Sequence, residues 1–508
     1  MREYDDLDDL RAAGHALVDE ALRHLDRPLD APVETPKTAA ELARAFGPPP
    51  AAGRPWRDVL ADLRRTVVDE SNRLAHPMYM GQQVCPPLPL PALADALVSV
   101  MNQSQAVWEM SPAGTMLEHE LIRWFARLAF GDAANGADGA NAADGVSAAD
   151  DGARAALGSF VSGGSAGNMT ALLAARARAF PDAWARGAPA GALLVTGAQA
   201  HYSVSRSAGI LGLGADNVVS IPTNERLATD PRAVAQALAA ARAEGRPVLA
   251  VVATAGSTAT GSFDDLDAIA DACAEHGAWL HVDGAHGASA LLSRTHRHRL
   301  RGLARADSLA WDPHKMMFQP LSTALVLVRE QRWLRAAFQQ EAPYLFHARV
   351  GGASGQAVPD MGSYTFQCSR RSDAIRLWLA LEHYGTDRLG ELYDHVCALA
   401  RHLHERLAAS DDFQPMHEPE SNILCFRWTP RGVEGDERLN GLQDRLRAAY
   451  VGAGRGYIVT TTMLDGRRVL RVTLINPRTT TGHVDRMLEG LRAEARTLAD
   501  ALAQRTGS

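Results

Sequence analysis

The sequence predicts an α/β protein whose large domain is built on a mostly parallel sheet. From residue 158 to about 330, short apolar runs such as VLAVVAT and SLAW alternate with helical segments such as DDLDAIADACAEHG. Strands that are apolar throughout are buried on both faces, and helices between parallel strands cover those faces. Polar segments such as DGAHG and DPHK follow the apolar runs, at the positions where ligands bind to sheets of this kind.

Three parts are predicted along the chain. Residues 1–100 are mainly helical with proline-rich joints and form an N-terminal arm. Residues 101–370 form the large domain, interrupted from about 132 to 157 by a stretch of Ala, Gly and Asp. That stretch has almost no large apolar residue to bury, which predicts a flexible surface insertion. Residues 371–508 combine helices with the strand-like runs NILCFRW and RVLRVTLI, which predicts a smaller α+β domain.

Composition argues against several classes of protein. Among the 508 residues, no apolar run reaches the roughly 18 residues of a membrane span, and the start MREYDDLDDL lacks the features of a secretory signal. The net charge is -7 and no basic stripe is present, so nucleic acid is not an expected partner. Five scattered cysteines without a CxxC pair favour a reduced compartment and no metal site. We therefore expect a cytoplasmic protein.

A single lysine, Lys315, stands in the apolar segment AWDPHKMMFQP. The chain has 52 lysines and arginines, and the one other lysine is Lys37. Arginine keeps its proton, whereas a partly buried lysine can lose its own and become a nucleophile. A position that keeps an amine in so arginine-rich a chain is therefore a candidate for a Schiff base with an aldehyde. An exposed surface lysine is the alternative.

Two further segments favour a phosphorylated pyridine ring. Asp283 ends the buried run WLHVD, where its carboxylate could pair with a protonated ring nitrogen; an N-cap is the alternative. Ala285 leaves room beside it for a planar ring. The small-residue turn SGGSAGN enters a helix, whose free N–H groups favour a phosphate, and Ser165 is the side-chain candidate there.

Two more polar residues follow strands of the same predicted sheet. His201 begins HYSVSR, where its imidazole could stack on a ring, and Thr254 ends VLAVVAT, where its hydroxyl could contact one. Capping, core or strand-end roles are the alternatives for both. An amine, a carboxylate, a phosphate turn and a stacking imidazole in this strand order together predict a site for pyridoxal 5′-phosphate.

These segments resemble the group II pyridoxal-phosphate decarboxylases, which act on glutamate, 2,4-diaminobutyrate or aromatic L-amino acids. DPHK is similar to the family's [ND]PHK motif and HVDGAHG to its HVDAA segment. The resemblance implies that Lys315 carries the cofactor, that His314 lies near the phosphate and that Asp283 meets the pyridine nitrogen. It also implies a ring-stacking role for His201 and a cofactor contact for Thr254. The loop SGGSAGNMTAL resembles the glutamate decarboxylase phosphate loop, which assigns Gly164, Ser165 and Ala166 to the phosphate.

The resemblance also implies a fold, an assembly and substrate contacts. The expected fold is the aspartate-aminotransferase type (fold type I), in an obligate homodimer whose N-terminal helices wrap the partner. HPMYMGQ matches the family's HPRxxxQ segment and points to Gln82, although Met78 replaces the usual basic residue. LRVTLINP points to Arg471 as the residue that holds the substrate α-carboxylate. The expected activity is decarboxylation of a glutamate- or diaminobutyrate-like L-amino acid to the amine and CO2.

One departure from the family pattern leaves the outcome of the reaction open. Family decarboxylases carry a lid tyrosine that protonates the carbanion, and this chain has Pro359 about there, with Tyr364 a few residues later. Without that donor, family variants divert to decarboxylation-dependent oxidative deamination, which yields an aldehyde. A carbon–carbon lyase and a non-catalytic protein that binds pyridoxal phosphate are the further alternatives.

Overall fold

The computed structural model describes residues 6–26, 33–34, 37–131, 156–339, 342, 345, 350–351, 356–357 and 360–506. The chain divides into two compact units. The smaller one comprises residues 1–82, 405–414 and 426–508, and the larger one comprises residues 83–404 and 415–425. Within the described ranges, no helix combines the length and the apolar character that a membrane crossing requires.

Helices and strands alternate along most of the chain. The α-helices are α1 (Leu7–Leu25), α2 (Ala39–Ala43), α3 (Trp56–Leu63), α4 (Pro89–Met101), α5 (Pro112–Phe130), α6 (Gly164–Ala179), α7 (Ala183–Arg186), α8 (Ser203–Ile210), α9 (Pro231–Ala243), α10 (Leu266–His276), α11 (Pro313–Met316), α12 (Gln331–Ala336), α13 (Ala374–Ala408), α14 (Asp436–Gly452) and α15 (Thr481–Thr506). The strands are β1 (Tyr79–Met80), β2 (Leu157–Val161), β3 (Leu193–Gly197), β4 (Val218–Ile221), β5 (Val248–Thr254), β6 (Leu280–Asp283), β7 (Ser308–Trp311), β8 (Ala324–Val328), β9 (Val350–Gly351), β10 (Gln356–Ala357), β11 (Phe413–Pro415), β12 (Ile423–Trp428), β13 (Tyr457–Leu464) and β14 (Arg467–Thr473).

The larger unit is built around a seven-stranded sheet in the order β2-β8-β7-β6-β5-β3-β4. Strands β7, β6, β5, β3 and β4 pair in parallel, and β8 runs antiparallel to both β2 and β7. Strands β2, β3, β6, β7 and β8 are buried along their whole length, as expected for mainly apolar strands with both faces covered. The predicted α/β class with a mostly parallel sheet is therefore confirmed.

Local sequence signals explain where the helices that flank this sheet begin and end. The Asp265 side chain accepts a hydrogen bond from the Ala268 N–H at the start of α10, and Gly277 ends that helix in the left-handed conformation at φ 65°. Asp230 caps α9 in the same way, directly before Pro231 at the first helical position. These caps fix where the two helices begin and end. Because β3, β5, β6 and β7 run in the same direction, their carboxyl ends meet at one edge of the sheet.

The smaller unit contains strands β1, β13 and β14 of a five-stranded sheet whose order is β1-β13-β14-β12-β11. Strand β1 pairs in parallel with β13, so a segment near residue 80 joins a sheet formed mainly by the last hundred residues. The Asn476 side-chain amide donates to the Ala75 carbonyl at 3.1 Å, and the Thr479 hydroxyl donates to the Pro77 carbonyl at 2.8 Å. Both bonds tie the N-terminal segment to the C-terminal one within this unit.

Several sequence predictions can be compared with these bounds. The runs VLAVVAT and SLAW are β5 and β7, and NILCFRW and RVLRVTLI contain β12 and most of β14. Strands β1, β2, β4, β9, β10, β11 and β13 were not predicted. The predicted insertion lies outside the described residues except at its end, where β2 already begins at Leu157. The division at residues 100 and 370, with a dimerising arm, stays a prediction.

Candidate active site

A cavity of about 410 Å³ lies in the larger unit and is lined by residues that follow the parallel strands. The structure brings together in it every residue that the sequence assigned to the cofactor, although the role of each stays a prediction. These residues are Gly164, Ser165, Ala166, His201, Thr254, Asp283, Ala285, His314 and Lys315. They come from segments up to 151 positions apart (315 − 164), and the parallel strand order is what gathers them.

The amine of Lys315 lies beside a buried carboxylate. Lys315 is on the short helix α11, and its Nζ is 3.2 Å from Oδ2 of Asp312, the residue before that helix. The Lys315 side chain is 17% exposed, whereas that of Asp312 is 3% exposed. A partly buried amine is held against an opposite charge and still reaches the cavity. An exposed surface lysine, the alternative for Lys315, does not describe this position.

His314 is fixed by the backbone that follows it. Its Nδ1 is 2.8 Å from the Thr323 carbonyl oxygen. A carbonyl can only accept, so Nδ1 carries the proton and donates it. Burial lowers the pKa of His314, and the nearby Asp312 carboxylate acts in the opposite direction. The ring therefore favours the neutral form, with Nε2 at 3.6 Å from Asp312 Oδ2.

The carboxylate of Asp283 has a donor on each oxygen. The Asn168 side-chain amide donates to Oδ2 at 2.9 Å, and the Ala285 backbone N–H donates to Oδ1 at 3.2 Å. Asp283 is the last residue of β6 and is buried, at 6% exposure. Two N–H donors stabilise the ionised form of a buried carboxylate. The arrangement suits a group that must remain an anion beside a cationic ring.

The His201 imidazole stands at the cavity wall and is held through its Nδ1. That atom is 2.8 Å from the Ser203 hydroxyl, and the Ser203 backbone N–H donates to it at 3.3 Å. Burial lowers the pKa of His201, while the charge of Asp283 acts in the opposite direction. A neutral, oriented imidazole results, which is what stacking on a planar ring requires.

The N-terminus of α6 forms the turn that was predicted to bind phosphate. Gly163 has φ 140°, and its carbonyl accepts the N–H groups of Ala166 and Gly167. A Cβ atom added at Gly164 would lie 2.8 Å from Asp312 Oδ2 and 2.9 Å from the Ala285 Cβ. A side chain at Gly164 is therefore excluded. The first N–H groups of this helix have no acceptor inside the helix, so they are available to an anion.

Thr254 is positioned by a buried carboxylate that the sequence analysis did not identify. The Asp264 side chain accepts the Thr254 backbone N–H at 2.7 Å and also the backbone N–H and hydroxyl of Thr229. Burial raises the pKa of Asp264, and these hydrogen bonds act in the opposite direction. The hydrogen bond from its backbone N–H to Asp264 fixes Thr254 at the end of β5, and the Thr254 side chain lies at the cavity.

The residues of the cavity fit the predicted cofactor. Within the described part of the chain, Thr254 Oγ1 and Asp312 Oδ1 are buried without a hydrogen-bond partner, and both residues line the cavity. A buried polar atom without a partner is unfavourable unless a ligand or water satisfies it. The Lys315 amine suits the aldehyde of the cofactor, and the Asp283 carboxylate suits its pyridine nitrogen. The N-terminus of α6, which has no side chain at Gly164, suits its phosphate. The two oxygens without a partner can accept further polar contacts from the ligand.

The two predicted substrate residues belong to the smaller unit. Gln82 is exposed and is the last residue of that unit's first segment. Arg471 is buried on β14, opposite Val459 of β13. Their contacts with a substrate stay predictions. Pro359 of the predicted lid lies outside the described residues, and Tyr364 is buried with the Arg335 guanidinium 5.2 Å from its ring centre.

Sequence reasoning missed several polar residues that line this cavity, and three of them are of particular interest. Asn168 ends the segment SGGSAGN, Asp312 begins DPHK, and Arg206 lies in HYSVSR, and all three line the cavity. Each stands in a segment that was already singled out, so a polar residue within five positions of an assigned one was an available signal. That signal does not say which side chain turns inward, because orientation depends on the fold.

Comparisons with known proteins agree with this geometry. Residues 47–429 match the pyridoxal-dependent decarboxylase conserved domain. L-2,4-diaminobutyrate decarboxylase of Rhizobium meliloti (strain 1021) is 33% identical over 455 residues, which are 89% of this chain and 84% of that protein. Cysteine sulfinic acid decarboxylase of Mus musculus is 33% identical over 393 residues, which are 77% and 75% of the two chains.

A solved structure extends the similarity to the fold. The crystal structure of mouse CSAD in apo form superposes with a TM-score of 0.83 at 30% identity, and the match covers 96% of this chain and 98% of that one. The predicted family, the fold type I architecture and the pyridoxal 5′-phosphate cofactor are confirmed by these matches. The chain therefore belongs to the pyridoxal-dependent decarboxylase family and is an amino acid decarboxylase that uses pyridoxal 5′-phosphate.

Proposed function

We propose that the enzyme decarboxylates a glutamate- or 2,4-diaminobutyrate-like L-amino acid, with Lys315 as the amine that binds the cofactor aldehyde. The observation that carries this proposal is the shared cavity of Lys315, Asp283 and the α6 N-terminus. When bound, the cofactor supplies an electron sink for the bond that breaks at the substrate α-carbon. The residues of the chain bind it, orient it and keep its charge in place.

Each proposed role follows from the chemistry of one side chain. Asp283 keeps the pyridine nitrogen protonated, because its ionised form is held by two N–H donors. His201 stacks on the ring as a neutral imidazole. The turn Gly164–Ser165–Ala166 would hold the phosphate through the N–H groups of Gly164 and Ser165, with His314 nearby, and Thr254 and Ala285 would contact the ring.

The substrate is held through its α-carboxylate in this proposal. Arg471 and Gln82 would bind that group and orient the substrate for the loss of CO2. Two observations support the side-chain class. The relatives named above act, by their names, on diaminobutyrate and on cysteine sulfinic acid. In addition, Arg206 lines the cavity with a positive charge, which favours an acidic side chain over a diamino one.

Borohydride trapping tests the role of Lys315 directly. The reagent reduces the bond between the cofactor and its lysine, and peptide mapping then locates the label. Because Lys37 is the one other lysine in the sequence, the two possible sites fall in different peptides. We expect the label on Lys315. A label on Lys37, which is 48% exposed and paired with Glu70, would reject the assignment.

A substrate panel tests the proposed reaction and its specificity. Purified protein is incubated with glutamate, aspartate, cysteine sulfinate, 2,4-diaminobutyrate and an aromatic L-amino acid, and CO2, amine, aldehyde and peroxide are measured. We expect CO2 and amine in equal amounts from an acidic or diamino substrate. Aldehyde and peroxide in place of amine would indicate oxidative deamination, and unchanged substrates throughout would indicate a binding protein. Either result contradicts the proposal.

We also propose a homodimer in the cytoplasm. Helix α1 has no buried residue and exposes Leu10, Leu17 and Leu22 at 55%, 53% and 46%, which supports a partner for that face. None of the five cysteines forms a disulfide, which supports a reducing compartment. Light scattering during gel filtration tests the assembly, with twice the 54.5 kDa chain mass expected. Leu10→Asp with Leu17→Asp should shift the mass toward the monomer, and an unaltered dimer would reject the role of this face.

A further inference from the structure

A run of buried hydrogen bonds leads away from Asp283 into the sheet. The Asn168 side-chain amide, which donates to Asp283, places its oxygen 3.0 Å from Nε2 of His281. His281 Nδ1 is 2.9 Å from the Ser308 hydroxyl, which lies 2.8 Å from the Trp279 indole nitrogen. Each of these residues is at most 6% exposed. The run is therefore shielded from water along its length.

The donor and the acceptor of every hydrogen bond in this run can be assigned in turn, starting from Asp283. An ionised carboxylate can only accept, so the Asn168 NH2 group must face Asp283 and the Asn168 oxygen must face His281. His281 Nε2 must then carry a proton and donate it. Burial lowers the pKa of His281 to about 4, so its ring is neutral and Nδ1 is an acceptor. Ser308 donates to that Nδ1 and accepts from Trp279, whose indole N–H can only donate.

A second branch leads from Asn168 to His201. The other N–H of the Asn168 amide donates to the Ser203 hydroxyl at 3.0 Å. That hydroxyl is 2.8 Å from His201 Nδ1, and the Ser203 backbone N–H, which can only donate, also meets this atom. His201 Nδ1 is therefore an acceptor, and in the neutral ring the proton is on Nε2. One amide thus connects Asp283 and His201, two of the residues that are proposed to contact the cofactor ring.

We infer that Asn168, His281 and Ser203 are positioning residues that hold Asp283 as an unprotonated acceptor and His201 as the neutral Nε2–H tautomer. The inference rests on the proposed places of Asp283 and His201 at the cofactor ring. The carboxylate keeps its remaining lone pairs for the pyridine nitrogen. The imidazole, fixed at Nδ1, presents a single N–H at Nε2. If donors and acceptors were exchanged along the run, Asp283 would have to carry a proton and donate it. It would then no longer be the anion that keeps the pyridine nitrogen protonated.

The tautomers can be measured on the full-length protein after removal of the cofactor. Histidine labelled with ¹⁵N distinguishes protonated from unprotonated ring nitrogens, and the variants His281→Asn and His201→Asn assign the two signals. We expect both rings to be neutral with the proton on Nε2 at neutral pH. A proton on Nδ1 of either ring would overturn the inference. This readout needs neither bound cofactor nor turnover, so it is independent of the trapping experiment on Lys315.

The variant Asn168→Ala tests what the run does for the cofactor. It removes one hydrogen bond to a charged group, so we expect the affinity for pyridoxal 5′-phosphate and kcat each to fall about tenfold to a hundredfold. The His201 signal should also change, because Ser203 loses its donor. Ser205→Ala is the matched control, since that hydroxyl bonds to the Tyr202 carbonyl on the exposed side of α8. Asn168→Ser, which keeps a short polar side chain, should restore part of the affinity.

Three results separate positioning from a general effect on folding. Unchanged cofactor affinity and an unchanged His201 signal in Asn168→Ala would overturn the inference. Equal losses in Ser205→Ala and Asn168→Ala would overturn it as well. If Asn168→Ala does not fold, Ser203→Ala replaces it, because this variant interrupts the second branch alone. Its His201 signal should shift, and its cofactor affinity should fall by less than the tenfold to hundredfold expected for Asn168→Ala. An unshifted signal would count against the inference.

Discussion

His281 gives the sharpest prediction about stability, because its burial opposes protonation. The ring is fully buried on β6 and hydrogen-bonded at both nitrogens. Burial lowers its pKa to about 4, and the nearby Asp283 carboxylate acts in the opposite direction. In the unfolded chain the same ring titrates at about 6.5. Protons therefore bind the unfolded state more readily than the folded one between these two values.

The sign and the size of the effect follow from this difference. Between pH about 6.5 and about 4, the unfolded chain carries a proton on this ring that the folded chain lacks. The free energy of unfolding then rises with pH, so this contribution is complete above pH about 6.5 and is lost as the pH falls toward 4. At about 1.4 kcal/mol per pH unit, the difference amounts to about 3 kcal/mol.

The assay compares the wild type with His281→Gln, which keeps an amide N–H for Asn168 but cannot titrate. The free energy of unfolding is measured in urea at several pH values from 4 to 7, at one protein concentration. We expect the difference between the two proteins to change by about 3 kcal/mol across that range. His15→Gln, at an exposed position on α1, is the control and should parallel the wild type. Parallel curves for the wild type and His281→Gln would refute the reasoning.

Two further predictions concern the cofactor site. Lys315→Ala should abolish decarboxylation and the absorbance of the lysine-bound cofactor, whereas the control Lys37→Ala should change neither. A CO2 assay and an absorbance spectrum measure the two effects. Retained turnover in Lys315→Ala would contradict the proposed role of Lys315. Gly164→Ala places a Cβ 2.8 Å from Asp312 Oδ2, so we expect a loss of about 1–3 kcal/mol in stability and weaker cofactor binding, measured by urea unfolding and by cofactor titration. Gly441→Ala, in α14 with open space around it, should not destabilise, and equal behaviour of the two glycine variants would show that crowding at 164 does not matter.

Local sequence patterns were sufficient for the central strands and for the main chemistry. Strand β5 is VLAVVAT and β7 is SLAW, because an unbroken apolar run of this length has few alternatives to burial in a sheet. Lys315 and Asp283 could be assigned because the residue types and the strand ends that carry them are local features. Strand β13, with the sequence YIVTTTML, escaped prediction because three threonines interrupt its apolar run.

The partners of the site residues could not be predicted in this way. Asp264 anchors Thr254 from ten residues away, and its sequence context predicts no more than the helix cap that the neighbouring Asp265 provides. His281 lies inside a strand run, where one polar residue gives no sign of its function. These bonds depend on which side chains turn toward each other, and orientation is set by packing of the whole sheet.

The sequence by itself determined the class of fold and the cofactor, because hydrophobic periodicity and motifs such as DPHK are properties of short segments. The roles of Lys315 and Asp283 stay predictions. The tertiary structure alone decided that Asn168 faces both Asp283 and Ser203, that Asp312 lies against Lys315 and that His281 is neutral. The physical reason is that hydrogen-bond direction and burial depend on strand order and register, which bring together groups such as Asn168 and Asp283 that are 115 residues apart.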